Sequence, residues 1–329
     1  MTTSLTPQAA LYGDAKPLPS LPLCVHYAGS EKFLAKALEL QAARGPVFDV
    51  SGDCEDGAPV GLEVEHAKMV ARLIASPANR HGRMGARVHD VTHAAWHGDL
   101  EILVGDAGDR IAFLTLPKAE AAGDVERMLE ALATEMARAG VARQIPVSVL
   151  IETPGAAHDA WAIAALPGVI SLDFGTLDFV SAHQGAIPLS AMESPGQFDH
   201  ALVRRAKADV AAAALAHGVV PVHGVTRALD EPDTAYNDAR RARDEFGFLR
   251  MWSIHPSQIE PIVRALQPSL EEINEATQVL VAAQGADWAP LRVAGKLHDR
   301  ASYRYCWSVV SRAHAAGVPL PAAASAWFA

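Results

Sequence analysis

The sequence predicts an α/β fold, a (β/α)8 TIM barrel with a C-terminal helical extension. Three observations predict it. Short apolar β-runs alternate eight times with helical stretches, the pattern of a parallel sheet closed by its own helices. The chain has 329 residues, long for one ordinary domain but within the range of a single barrel with additions. Charged residues gather just after the β-runs, and in such barrels ligands bind at the carboxyl ends of the strands.

In order, residues 1–20 hold prolines and small polar residues without a periodic apolar face, and are expected to be a tail laid over the surface. Leu21 to His26 is the first β-run, and Glu31 to Ala43 is helical, with Phe33, Leu34, Ala37, Leu38 and Leu40 on one face. Val47 to Val50 is the second run. It leads into Ser51-Gly52-Asp53-Cys54-Glu55-Asp56-Gly57, an acidic loop with glycines at turn positions. Val64 to Ile74 is helical, and Met84 to Val88 is the third strand, with Arg87 at its end. Leu100 to Val104 reads as the remnant of a short helix. Ile111 to Leu116 is the fourth strand and stops at Pro117-Lys118, and Val125 to Ala139 is a strong helix. Val147 to Ile151 and Val169 to Leu172, joined by a helix over Ala156 to Leu166, supply the fifth and sixth strands. Gln197 to Ala216 is an alanine-rich helix, and Val219 to Val222 the seventh strand. Pro232 to Phe246 is helical, acidic first and then basic, as the helix dipole favours. Leu249 to Ile254 is the eighth strand, followed by His255-Pro256 and a helix to Leu266. The barrel is thus expected over residues 21–268. Residues 269–329 form an extension: a helix Leu270 to Ala283, a loop Gly285 to Asp299, a helix Ser302 to Ala315 and a small apolar tail, all of which must pack on the barrel or across a subunit contact.

Composition excludes several classes. The formal net charge is −10 with no long basic block, against nucleic acid or an anionic membrane as partner. The longest nearly apolar stretch, Val210 to Val222, contains His217 and is too short to span a bilayer. The N-terminus lacks a basic region followed by an apolar one, so a cytoplasmic location is expected. Three scattered cysteines form no CxxC, as suits buried thiols in a reducing compartment. No G-x-S-x-G, HExxH, P-loop or GxGxxG occurs, which lowers hydrolase, zinc peptidase and dinucleotide readings.

The fifth and sixth runs carry the chemistry. One ends in Glu152, the other leads to Asp173, Gly175 and Asp178. Two carboxylates from neighbouring strand ends can share a hard divalent cation, and Mg2+ takes one or two carboxylates with water and substrate completing its shell. Glu152 and Asp178 are the expected metal pair; otherwise Glu152 caps the next helix and Asp178 is a solvated loop residue. Arg87 is a fixed charged fork for a carboxylate or a developing oxyanion, or the salt-bridge partner of the Asp53 to Asp56 loop. Glu55 and Asp56 could hold metal-bound water or orient Arg87. Lys118 could anchor a phosphate or pair with Glu152. His255 contacts ligand or fills the barrel mouth.

Taken together, VLIETPGA and LDFGTLDF, with GARVHD and LPKAE before them and WSIHPSQIEPI after, resemble the citrate lyase β-subunit/malyl-CoA lyase family, of the HpcH/HpaI aldolases. FLAKALEL…DCEDGAP is similar to its first unit, and GKLHDRA to a C-terminal segment. The resemblance implies a Mg2+-binding barrel that cleaves or forms a carbon–carbon bond in a short 3-hydroxyacyl-CoA ester such as malyl-CoA or citramalyl-CoA, giving a 2-oxo acid and an acyl-CoA. It puts the metal on Glu152 and Asp178, the catalytic arginine on Arg87 and the acidic pair on Glu55 and Asp56. A catalytic aspartate, delivered across a subunit contact in several relatives, falls on Asp299, which implies a homo-oligomer, a trimer or hexamer. The chain departs from the pattern at LPLCVHYAGS, which lacks an arginine, and at His89, His223 and Arg250. The alternatives are an aldolase acting on a free 2-oxo acid and a non-catalytic subunit binding an acyl carrier.

Overall fold

The structure, a computed structural model, describes residues 5–13, 18–229 and 231–328. It has two compact units. One is Pro22–Leu266; the other joins the N-terminal segment to everything from Gln267 on.

In the first unit, among the described residues, eight parallel strands close into a barrel: β1 Cys24–Ala28, β2 Phe48–Asp53, β3 Met84–Arg87, β4 Leu114–Leu116, β5 Val147–Ile151, β6 Val169–Phe174, β7 Val220–His223 and β8 Arg250–Ser253. β8 closes on β1, with Cys24 opposite Met251 and Val25 opposite Trp252. Two registers place the site. Asp53 lies opposite Arg87 across β2 and β3, and Ile151 lies opposite Phe174 across β5 and β6, so Glu152 leaves its strand beside Gly175.

The strands are buried almost throughout, as parallel strands covered on both faces must be. Apolar residues face the helices, but much of the interior is polar. Asp49, Ser51 and Asp53 alternate along β2, and Asp49 accepts from Arg250 Nη2 at 2.6 Å, both side chains nearly sealed from water. Burying an ion pair is costly unless the partners meet in good geometry. Here the pairing ties β2 to β8 low in the barrel, and the Ser148 hydroxyl donating to Ser171 Oγ at 2.8 Å ties β5 to β6.

The helices follow local rules. Glu31–Arg44 starts at Ser30, whose hydroxyl accepts from the Phe33 N–H. Ala122–Ala139 and Pro232–Phe246 stop at Gly140 and Gly247, with φ of 70° and 81°, left-handed caps that glycine adopts without strain. Three expected elements differ. The remnant at Leu100 to Val104 is a full helix, Trp96–Ala107, because Leu100, Leu103, Val104 and Ala107 form one buried face despite two glycines. The helix after β5 is two short ones, Pro154–His158 and Ala160–Ala164, divided at Asp159, whose carboxylate accepts from the Ala122 N–H at 3.1 Å. The helix expected from Gln197 is broken at His200, where extended backbone separates Gly196–Asp199 from Ala201–Ala216.

In the second unit, Leu270–Gly285 and Arg300–Ala315 share a core of Ile273, Leu280, Tyr303, Trp307 and Val310. The N-terminal segment is not wholly irregular: Pro7–Tyr12 is a helix whose Leu11 is fully buried in that core. Trp307 Nε1 donates to Gln8 Oε1 at 2.7 Å, and Arg300 donates to the Leu11 carbonyl at 2.8 Å. A helix of six residues with one large buried side chain gives little periodicity to read. The loop expected over Gly285 to Asp299 contains a hairpin, β9 Leu291–Val293 and β10 Lys296–His298. Among the described residues, no helix is long and apolar enough to cross a membrane.

Candidate active site

A cavity of about 220 Å³ opens at the carboxyl ends of the strands. The residues around it come from the ends of β1, β2, β3, β5, β6, β7 and β8, and include Arg87, Asp53, Asp56, Glu152 and Asp178. The barrel topology thus assembles what the sequence scatters over a hundred residues and more.

Arg87 is held on two sides. Its Nε and Nη2 donate to the two carboxylate oxygens of Asp53 at 2.8 and 2.6 Å, a bidentate fork, and Nη1 meets Glu55 Oε2 at 2.8 Å. Burial opposes the guanidinium charge, but Asp53 and Glu55 hold it firmly ionised. Gly57 makes this loop possible: a Cβ there would stand 2.4 Å from Asp53 Oδ2, and the Gly57 N–H instead donates to that oxygen at 2.9 Å. Two of Arg87's five N–H groups are thus bonded to Asp53 and its Nη1 is paired with Glu55, while the residue also lines the cavity.

Lys118, just past β4, works through both its backbone and its side chain. Its φ of 48° is left-handed, a conformation that costs a non-glycine residue about 1–3 kcal/mol. In return its N–H donates to Glu152 Oε1 at 2.8 Å, while its ammonium meets Asp56 at 2.9 and 3.1 Å and also Glu55. The side-chain pairing expected with Glu152 is therefore made by the backbone, and the amine belongs to the acidic loop. Burial works against the Asp56 charge, yet Lys118 overrides it and holds that carboxyl below its usual range. Burial pushes Glu55 upward against Arg87 and Lys118.

Glu152 is almost fully buried, and its carboxyl is pushed up to about 8, first by burial and then by the Asp178 charge. Asp178 lies in the first turn of Thr176–Ala182 and is raised by burial, with Lys118 opposing. A buried carboxyl beside a second carboxyl, with no cationic side chain bonded to Glu152 among the described residues, is a poor arrangement for metal-free stability and a good one for a hard cation. Among the described residues, no group of three or more His, Cys, Asp and Glu side chains is disposed to hold a metal. A cation on this pair would take its remaining ligands from water or substrate.

Gly175 is needed where β6 meets this helix. A Cβ on it would sit 2.4 Å from Glu152 Oε2 and 2.6 Å from Glu152 Cβ. Gly175→Ala is expected to push the Glu152 carboxylate aside and to destabilise by roughly 1–3 kcal/mol, the usual cost of overpacking. A thermal melt checks this; a midpoint equal to the wild type's would mean that Glu152 moves without resistance.

His255, expected at the mouth, is exposed; its Nδ1 pairs with Ser257 Oγ at 2.7 Å, and it does not line the cavity. Asp299 is in the other unit, exposed, and N-caps Arg300–Ala315 by accepting from the Ala301 and Ser302 N–H groups. Sequence reading passes over Tyr27 and Trp252, whose rings stack in the cavity wall. They lie more than two hundred residues apart and meet only because β8 closes on β1, so no local pattern signals them.

Comparison with known proteins adds a family. The model of the HpcH/HpaI aldolase/citrate lyase family matches residues 53–256. L-malyl-CoA/β-methylmalyl-CoA lyase of Rhodobacter capsulatus is 28% identical over 250 residues, covering 71% of this chain and 77% of that protein. A citrate lyase subunit beta-like protein of Deinococcus radiodurans is 26% identical over 243 residues, covering 71% and 77%. A citrate lyase of Burkholderia xenovorans superposes with a TM-score of 0.89 at 51% identity, covering 98% of this chain and all of that one. Protein CitE of Mycobacterium tuberculosis, in complex with magnesium, acetoacetate and coenzyme A, superposes with a TM-score of 0.69 at 23% identity, covering 89% and 98%.

Proposed function

Because the chain belongs to the HpcH/HpaI aldolase/citrate lyase family, whose relatives are carbon–carbon lyases, we propose that it cleaves, or forms, a short 3-hydroxyacyl-CoA ester with the help of Mg2+. Malyl-CoA or citramalyl-CoA is the substrate class, and a 2-oxo acid and an acyl-CoA are the products. The observation that carries this reading is the pair Glu152 and Asp178 facing one cavity with Arg87.

Glu152 and Asp178 fit a hard divalent cation and would hold it through carboxylate oxygens. When bound, Mg2+ supplies Lewis-acid polarisation of the hydroxyl and carboxylate oxygens of the substrate. The chain does the rest. Cleavage passes the hydroxyl proton to a carboxylate, turns the carbinol carbon into the carbonyl of the 2-oxo acid, and leaves the electron pair of the broken carbon–carbon bond as the enolate of an acyl thioester. Arg87 offers the N–H groups not bonded to Asp53 to that enolate oxygen, and it is already fixed by Asp53 and Glu55, so little reorganisation is needed as charge develops. Lys118 keeps the Glu55–Asp56 loop closed over this arginine. The enolate carbon then takes a proton, and Asp299 is our candidate for delivering it from a neighbouring copy of the chain. That role implies a trimer or hexamer, and an active monomer in sedimentation at assay concentration would remove it.

The test is incubation with malyl-CoA and citramalyl-CoA, following glyoxylate or pyruvate. Turnover of free 4-hydroxy-2-oxo acids with none of either thioester would replace this reading by an aldolase on free acids.

The site also predicts a pH effect. The folded Glu152 carboxyl titrates near 8 and that of Asp173 near 6, both raised mainly by burial. Their unfolded values lie near 4, so between about pH 4 and 8 the folded state binds more protons than the unfolded one. Metal-free stability is therefore greatest at the acidic end of that window and is lost as pH rises through the folded values. Melts in chelator should show the midpoint falling from about pH 5.5 to about pH 8, with Mg2+ restoring more of it at the alkaline end than at the acidic one. A metal-free midpoint that rises across this range would contradict the buried-carboxyl account.

A further inference from the structure

We propose that the stacked rings of Tyr27 and Trp252 form the wall that sets substrate size, by limiting the aliphatic substituent on the carbons flanking the bond that is cleaved. This rests on the lyase reading of the same site. The cavity lining is mixed: Glu152, Asp178, Asp53 and Arg87 give it charged groups, while Tyr27, Trp252 and Ile254, from the ends of β1 and β8, form an apolar stretch, with further apolar residues from the ends of β5 to β7. Polar groups of the substrate belong on the first, and its alkyl substituent is left to the second.

The wall is rigid. The two rings lie 3.4 Å apart between centroids and 14° from parallel. Each is pinned at its polar end. The Tyr27 hydroxyl donates to Thr115 Oγ1 at 3.3 Å, and Trp252 Nε1 donates to Asp173 Oδ2 at 2.7 Å. Asp173 is itself held by Ser171 Oγ at 2.6 Å. The Arg87 guanidinium lies 5.5 Å from the Tyr27 ring centroid, so the ring cannot swing toward the charged side without meeting it. An unpinned aliphatic side chain would rotate away from an extra methylene; a stacked pair bonded at both ends does not. About 220 Å³ has to take the reacting carbons as well, so one methylene matters. An apolar pocket discriminates one methylene by about 10–200-fold.

The experiment runs the condensation direction with Mg2+ and compares kcat/KM in two series. One varies the 2-oxo acid (glyoxylate, pyruvate, 2-oxobutyrate), the other the acyl-CoA (acetyl, propionyl, butyryl). The wild type should drop about 10-fold or more from its preferred member to the next longer one. Tyr27→Val and Trp252→Leu should each shrink that ratio about 10-fold, and Tyr27→Phe, which keeps the ring, should retain it. A shift in the first series assigns the wall to the carbonyl carbon, and a shift in the second to the α-carbon of the thioester. Ratios unchanged in both series overturn the inference while leaving the lyase reading intact. If the wild type turns over no member, the lyase reading fails. Calorimetric binding of the same 2-oxo acids with Mg2+ then decides: a shifted ratio of Kd values supports the wall, and equal ratios or no binding overturn it. If Tyr27→Val does not fold, Trp252→Leu carries the comparison.

Discussion

Glu152→Gln is expected to lower Mg2+-dependent turnover by about 10³-fold or more while making the metal-free protein more stable near pH 8. The opposite signs follow from one structural fact. Glu152 sits almost without solvent, with its carboxyl titrating near 8, because burial and the Asp178 charge disfavour its ionised form. The neutral amide avoids that penalty, roughly a few kcal/mol near pH 8. Glutamine can keep the local geometry, since its oxygen still accepts from the Lys118 N–H that now lies 2.8 Å from Glu152 Oε1. What it cannot supply is an anionic oxygen beside Asp178. Loss of turnover with gain of stability separates a missing metal ligand from a damaged fold. Melts in chelator and steady-state assays across a Mg2+ series measure the two effects. A Glu152→Gln enzyme that turns over as fast as wild type would remove the metal assignment. One that loses both turnover and stability would show that the buried carboxylate serves the fold instead.

How much of this is legible in the sequence differs from element to element, for physical reasons. Strands such as β5, VSVLI, are readable because a parallel strand covered on both faces tends to an apolar run, whereas β2, FDVSGD, puts Asp49, Ser51 and Asp53 into the interior and shows only part of that signal. That Glu152 and Asp178 line one cavity is legible too, since each follows a strand and strand ends share one rim of the barrel. The partners of Arg87 are half legible: the acidic loop stands out, but the bidentate bond to Asp53 depends on the β2–β3 register, which no local pattern encodes. Lys118 misleads because its backbone, with φ of 48°, makes the contact expected of its side chain. The Tyr27–Trp252 stack and the burial of Leu11 are invisible for a common reason. Both are contacts between segments separated by more than two hundred residues, created only when the chain closes on itself. Periodicity reports which face of an element is covered, not what covers it.

Arg87 offers the second large effect, and two substitutions together identify its role. Arg87→Met leaves the carboxylates of Asp53 and Glu55 buried with one cationic partner gone. Breaking a buried pair in this way costs about 3–5 kcal/mol of stability. It also removes the N–H groups proposed for the enolate oxygen, so kcat should fall about 10²–10³-fold, the usual loss for one preorganised oxyanion donor. That variant alone confounds folding with chemistry. Arg87→Lys separates them, because an ammonium can still neutralise the acidic loop but is a single flexible point charge. It cannot bond Asp53 through two parallel N–H groups while holding others toward a ligand. The lysine variant should therefore keep most of the stability lost in the methionine variant and still show kcat reduced about 10²-fold or more, with KM changed far less. Chaotrope melts and saturation kinetics on the same preparations make the comparison. If Arg87→Lys keeps kcat within a few-fold of wild type, charge alone suffices and the fork that Asp53 holds in place serves the barrel's closure, not the developing enolate. If instead kcat is unchanged while KM rises, Arg87 binds substrate and transition state equally, and the stabilisation of charge must be sought elsewhere on the rim.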